Sequence, residues 1–214
     1  MGKTIYVFFA SAMLLATNLA TGQTADQPAG QTTGQTYTGP MGRKPSRPYL
    51  GFHVNFGEAR TAGDSKAGLG WLIGVEPGYK VPRTAWDLID ASVELGTGHA
   101  QFERNNVDIN LPIHLYLLAK AGYGYAIGED VFGIVQLGAG TAFAKYTPEK
   151  DSEVDASTLS GFIGRLGFQV LAPVADGFDV FGALQLNYMS FSGSDVDAFQ
   201  LNMPALSVGG RILF

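Results

Sequence analysis

The sequence predicts an all-β protein: an antiparallel up-and-down transmembrane β-barrel of about eight strands. Three observations lead there. From Tyr49 onward apolar residues recur at every second position through segment after segment, which is the strand period and not the helix period. Glycine is abundant, at 29 of 214 residues, and in a helix interior each glycine costs about 1 kcal/mol relative to alanine. The last residues, Pro204 to Phe214, alternate Leu206, Val208, Ile212 and Phe214 with Ala205, Ser207, Gly209 and Arg211, and no polar turn follows Phe214. A bare apolar edge invites pairing with other chains. The closing strand of a membrane barrel has no free edge and sets its apolar face against lipid.

Three segments are expected. Residues 1–22 read as a secretory signal: Lys3, the apolar run Ile5 to Ala16, then small residues with cleavage after Ala20 or Gly22. That run falls short of the roughly 20 apolar residues a spanning helix needs. Residues 23–47 are rich in Gln, Thr and Gly, with Pro28, Pro40 and Pro45, and read as a disordered, low-complexity periplasmic segment. Arg43, Lys44 and Arg47 close it as a solvated, basic linker, with a contact to anionic lipid or cell wall as the alternative. Residues 48–214 form the barrel domain. The absence of cysteine excludes disulfides, thiolate metal sites and thiol nucleophiles. The formal charge of −5 gives no basic stripe for nucleic acid.

The strands follow in order. In the first, Leu50, Phe52, Val54 and Phe56 oppose Tyr49, Gly51, His53 and Asn55. The second sets Leu69, Trp71, Ile73 and Val75 against Gly70, Gly74 and Glu76, after a polar loop from Gly57 to Gly68. A tight turn at Val81 to Ala85 leads to the third, where Ile89, Ala91, Val93 and Leu95 oppose Asp90, Ser92 and Glu94. Gly96 to Asn106 reads as a polar connection. In the fourth, Val107, Ile109, Leu111, Ile113 and Leu115 oppose Asp108, Asn110, His114 and Tyr116, with the Gly-Tyr-rich piece Ala121 to Asp130 extending either neighbour. The fifth has Val135, Leu137, Ala139 and Phe143 against Gln136, Gly138, Gly140 and Ala142, followed by an acidic loop from Tyr146 to Ser157. The sixth places Phe162, Leu166, Phe168 and Val170 opposite Gly161, Arg165, Gly167 and Gln169. After a short turn, Ala172 to Gly177, the seventh sets Val180, Leu184, Leu186 and Tyr188 against Asp179, Ala183, Gln185 and Asn187. Ser192 to Ala198 leads to the last strand.

One face of each strand is thus apolar and often aromatic, while the other is small or polar. A soluble barrel would carry the apolar face inside and charge outside; here the small and charged face suits a narrow lumen and the apolar face suits lipid. Connections tend to alternate between polar loops and shorter turns, as expected of outer-membrane barrels with outer loops and periplasmic turns. With its signal sequence, its amphipathic segments and its ending Gly210, Arg211, Ile212, Leu213, Phe214, the chain resembles the small outer-membrane β-barrel proteins typified by the OmpA transmembrane domain, OmpX and OmpW. The resemblance covers Pro48 to Phe214. It implies residence in the outer membrane after export, contact with outer-membrane lipid and lipopolysaccharide, a monomer, and a terminal signal for the barrel-assembly machinery at Leu206, Val208, Gly210, Ile212 and Phe214. Within this chain no peptidoglycan-binding domain follows the barrel, so anchoring to the cell wall is not carried over.

Catalytic chemistry finds little support. His53 and His114 fall on the expected lumen face as structural imidazoles. His99 should lie near the outer rim, as should Ser157, Ser160, Ser190 and Ser192, with Glu103 nearby in sequence; a triad is recognised by geometry, which spacing does not give. The histidine and serine two residues apart that mark the lipid A deacylase barrels are absent. Gly138, Ala139 and Gly140 lack the full phosphate-loop fingerprint and read as strand residues. Glu149, Asp151, Glu153 and Asp155 lack the glycine and ligand spacing of an EF-hand; they read as a solvated loop, the sharper alternative being a divalent-cation bridge to lipopolysaccharide phosphates. No catalytic residue, metal or cofactor is therefore expected. The lumen charges Glu76, Asp90, Glu94, Arg165, Asp179 and Arg211 carry the positive expectation. An eight-strand barrel is only wide enough for side chains to fill, and a buried charge without a partner is strongly unfavourable. Acids and arginines should pair across the lumen and plug it. The function expected is a structural or surface-interaction role, with a narrow small-solute channel of the OmpW kind as the alternative and a lipid-modifying enzyme as the second alternative.

Overall fold

The computed structural model describes residues 46–61, 66–83, 86–104, 107–128, 130–148, 157–194 and 196–214. The expected signal sequence, residues 23–45 of the expected linker, and the acidic residues Glu149, Asp151, Glu153 and Asp155 lie outside them.

Eight strands run in order: β1 (Arg47–Thr61), β2 (Gly68–Pro82), β3 (Asp87–Arg104), β4 (Val107–Ala126), β5 (Phe132–Pro148), β6 (Ser157–Ala175), β7 (Phe178–Ser192) and β8 (Phe199–Leu213). Each pairs antiparallel with its sequence neighbours, and β8 returns to β1, so the sheet closes into an up-and-down barrel. Closure is in register from Tyr49 opposite Leu213 to Phe56 opposite Leu206. The Phe214 N–H donates to the Pro48 carbonyl at 3.0 Å, so pairing continues to the last residue. Between β6 and β7 the chain reverses at 176–177, where Gly177 takes the left-handed φ of 77° that a side chain would disfavour.

The strands contain 15 to 20 residues, whereas a tilted strand crosses a bilayer core in about 9–11. The extra length explains a difference from the sequence reading. Gly57 to Thr61 and Gly96 to Arg104, expected as polar loops, belong to β1 and β3. They looked like loops because the chemistry of the barrel inverts along its axis. In the half nearer the 83–86, 127–131 and 176–177 connections, the exterior is an apolar belt. Phe52, Ile73, Val93, Leu117, Leu137, Leu166, Leu184 and Val208 are all exposed there. Aromatic residues mark both margins of the belt: Tyr79, Trp86, Tyr123, Tyr125 and Phe214 on one side, Phe56, Trp71, Phe143 and Phe162 on the other.

Beyond the second margin the outward residues turn polar, as in Arg60, Thr97, Gln101, Lys145, Thr158 and Gln200, and the inward ones turn apolar. In β8, for example, the outward Val208 and Ile212 are apolar, but further along the strand Gln200 points out and Leu201 and Met203 are buried. The interior is therefore not uniformly small or polar, as the alternation suggested.

The fourth strand handles the inversion differently. Its register slips between Ile113 and Leu115 against β5, and between Gly96 and Gly98 against β3, so one extra residue sits at His114. Such a bulge reverses which parity faces inward. Leu115 and Leu117 point out as expected, but Ile109, Leu111 and Ile113 are buried inside, and His114 is exposed instead of facing the lumen.

Candidate functional site

The lumen is built in three layers, and the order of residues along each strand fixes them. On β3 the inward series is Leu88, then Asp90, Ser92 and Glu94, then Ala100 and Phe102; on β6 it is Leu171, then Gln169 and Arg165, then Ile163 and Leu159. A small apolar cluster of Leu88, Ala126, Phe132, Ile134, Leu171 and Phe181 fills the short-turn end. A larger one fills the other end, from Leu72, Leu118 and Ile163 up to Phe191, Phe199 and Leu201. Between them lies a charged layer.

That layer gathers all six predicted charges in the same interior, each at most 4% exposed. Arg165 Nη1 donates to Glu94 Oε2 at 2.5 Å, and its Nε donates to Asn187 Oδ1 at 2.6 Å. Arg211 Nη1 donates to Asp90 Oδ2 at 2.6 Å and Nη2 lies 3.4 Å from Glu76 Oε1. Its guanidinium carbon stands 4.3 Å from the centre of the Tyr49 ring, where a desolvated cation–π contact contributes about 2 kcal/mol. Asp179 pairs with Lys80 at 2.9 Å rather than with an arginine.

Several groups in the layer were not singled out from the sequence. Lys120 bridges the two glutamates, with Nζ 2.5 Å from Glu76 Oε2 and 2.8 Å from Glu94 Oε2. The Tyr49 hydroxyl lies 2.8 Å from both Glu76 Oε1 and Asp90 Oδ1, its single proton serving one at a time, and the Tyr116 hydroxyl donates to Glu94 Oε1 at 2.6 Å. Glycines clear space for these rings: a Cβ on Gly78 would enter the Tyr49 ring, and one on Gly96 the Tyr116 ring. The signal for Lys120 was present, since it shares the parity of Tyr116 and Leu118 below the bulge. In charge the layer balances: Glu76, Asp90 and Glu94 against Lys120, Arg165 and Arg211, with Asp179 and Lys80 as a separate pair. Each ion would be costly alone in a low dielectric; together they cross-link β2, β3, β4, β6 and β8 through the lumen.

At the far end Phe199 closes the mouth. Its ring centre lies 5.8 Å from those of Phe102 and Phe191 and 6.1 Å from that of Tyr146. Arg104 covers it at 5.0 Å and donates from Nη2 to the Asp197 carbonyl at 3.3 Å. Phe199→Ala is expected to lower stability by about 3–5 kcal/mol through the cavity it leaves. Urea unfolding of the detergent-folded barrel measures this, and a change below about 1 kcal/mol would contradict a packed mouth. Nearby, the hydrogen bond from Lys66 to Glu103 holds the exposed Lys66 ammonium protonated above its ordinary range.

The rim constellation does not assemble. His99 faces outward from β3 with its ring stacked on Trp71 at 6.4 Å. Ser160, Ser190 and Ser192 lie on β6 and β7, which do not border β3, and Ser157 points inward. Gly138 and Gly140 are strand residues of β5. Of the expected assembly residues, Val208, Ile212 and Phe214 face outward and Leu206 is half-buried; Gly210 is covered, with the Phe178 and Phe52 rings over it.

No protein-family model matches the chain, and no curated protein does. Among solved structures it is similar to small outer-membrane β-barrels. Neisserial surface protein A aligns over 80% of this chain and 100% of that one at 17% identity, with a TM-score of 0.49. Ail, the attachment invasion locus protein of Yersinia pestis, aligns over 79% and 100% at 16% identity and 0.47, in complex with the heparin analogue sucrose octasulfate. The outer membrane enzyme PagL aligns over 76% and 98% at 15% identity and 0.47. At such identity the likeness concerns the fold, which the closed strand order already gives.

Proposed function

We propose that the chain is an integral outer-membrane barrel that holds its lumen shut with its own side chains and serves the envelope structurally or through surface contacts. The observation that carries this reading is the three-layer interior: a balanced ionic layer between two apolar ones, inside a wall whose outer belt is apolar. The ion pairs are buried and join different walls of the barrel between the two apolar clusters, which supports a closed lumen. The belt and its aromatic margins support residence in lipid. Export after signal removal, contact with lipopolysaccharide, a monomeric state and a terminal assembly signal from Leu206 to Phe214 belong to the same reading.

Planar-bilayer recording of the purified protein tests it. The wild type is expected to give no porin-sized conductance; such conductance would overturn the closed lumen, and small discrete steps would favour the narrow-channel reading instead. Solubility without detergent would remove the membrane assignment itself.

A further inference from the structure

The Lys120 ammonium lies against two of three buried residues that are grouped like the ligands of a metal centre. His53 on β1, Glu76 on β2 and Glu94 on β3 each offer a ligand atom, and the three atoms lie within 4.8 Å of one another. All three residues are at most 3% exposed. The His53 ring is the independent sign. Its Nε2 is 2.9 Å from Glu94 Oε1 and its Nδ1 3.7 Å from Glu76 Oε2, yet neither nitrogen has the alignment of a hydrogen bond. A buried imidazole aimed at two carboxylates is a donor set suited to zinc and its first-row neighbours rather than to calcium or magnesium, which take oxygen ligands in larger number.

We infer that Lys120 is a tethered cation filling a divalent-metal site, so that the wild-type lumen excludes such ions and loss of the ammonium opens the site to one. Charge explains why both parts hold. With Lys120 present the layer is balanced, and a divalent ion would raise its net charge from zero to plus two. Without Lys120 the net charge is minus one, and the same ion takes it to plus one. The cost of burying charge grows with the square of the net charge, so the penalty present in the first case vanishes in the second. A metal would then stand between Glu76 and Glu94, with His53 as third ligand.

Lys120→Met, folded in detergent and titrated with Co²⁺, tests the inference by the visible absorption of the bound ion and by its displacement with Zn²⁺. The variant is expected to half-saturate at a Co²⁺ concentration at least about tenfold below the wild type, and Zn²⁺ should raise its thermal midpoint. Adding His53→Ala should abolish both effects, and Lys120→Arg should behave like the wild type. Binding by Lys120→Met no tighter than by the wild type, or binding that survives His53→Ala, overturns the assignment. If Lys120→Met does not fold alone, it is refolded with Zn²⁺ or with Mg²⁺. Recovery with Zn²⁺ only supports the site; recovery with neither or with both overturns it. These readouts do not depend on whether the barrel conducts.

Discussion

Arg211→Ala should lower the stability of the folded barrel by about 3–5 kcal/mol, the cost of leaving buried charge without its partner. Arg211 is fully buried on the closing strand, and it reaches across the lumen to Asp90 on β3 at 2.6 Å and to Glu76 on β2 at 3.4 Å. Among the described residues, its removal leaves Asp90 with only the Tyr49 hydroxyl, and it leaves the layer one charge negative. It also removes a guanidinium from between the Tyr49 and Phe181 rings, which stand 4.3 and 5.4 Å from its carbon. Arg211→Lys keeps the charge but loses the planar fork and the ring stacking, so an intermediate loss is expected. The double variant Arg211→Met with Asp90→Leu should recover much of the deficit, because an apolar pair of similar size avoids desolvation altogether. Urea titration of the barrel in lipid vesicles, followed by tryptophan fluorescence and by heat-dependent gel mobility, provides the measurement. Wild-type-like unfolding of Arg211→Ala would mean that water reaches Asp90 and that the lumen is wet.

The closed sheet was legible because the belt half of most strands obeys one rule, apolar outward and small or polar inward, at a period of two. The charged layer was legible for the same reason: Glu76, Asp90, Glu94, Arg165, Asp179 and Arg211 all sit at inward parity within that half. Lys120 was missed although its parity was right, because it lies in a run, Leu115 to Ala121, whose two faces are both largely apolar. Lys80 was missed because it stands beside the 83–86 connection, where a lysine reads as solvated; its partner Asp179 is distant in sequence and only the closed ring brings the two strands near. The mouth was missed because beyond the belt the rule reverses. Ala100, Phe102, Leu201 and Met203 point in while Gln101 and Asn202 point out, the pattern of a soluble barrel. A strand that switches rule halfway shows apolar residues on both faces in turn, and that looks like a strand ending in a loop.

Deleting His114 should leave the barrel folded, and His114→Ala should change stability by no more than about 0.5 kcal/mol. Both outcomes follow from how β4 crosses the boundary between the two zones. In β8 the inward parity stays fixed and the apolar residues change parity; in β4 the apolar residues keep odd numbers from Val107 to Leu117, and the extra residue changes which parity faces in. The exposed His114 side chain contributes little, but its backbone contributes the one-residue slip. Without it, the inward Ile113 meets the outward Leu115 in ordinary alternation, opposite Ala144 and Phe143, which are already consecutive on β5, so both zones keep their faces. A regular strand that retained His114 would instead, with Leu115 and Leu117 kept against lipid, force Ile109, Leu111 and Ile113 outward and turn Asp108, Asn110 and Pro112 into the apolar mouth. Exposing three buried aliphatic side chains costs about 1.5–3 kcal/mol each, and burying Asp108 among Phe102, Phe191 and Phe199 adds an unpaired charge. The alternative, holding the mouth and flipping the belt, would place Lys120 in lipid and remove it from Glu76 and Glu94. Either choice is comparable with the roughly 5–15 kcal/mol that holds a typical fold together, so a strand that carries His114 bulges instead. Heat-dependent gel mobility after refolding into detergent, with protease protection as the second readout, should show the deletion, His114→Ala and His114→Gly all folded. A deletion variant that fails to fold would mean that the bulge does more than set the phase of β4.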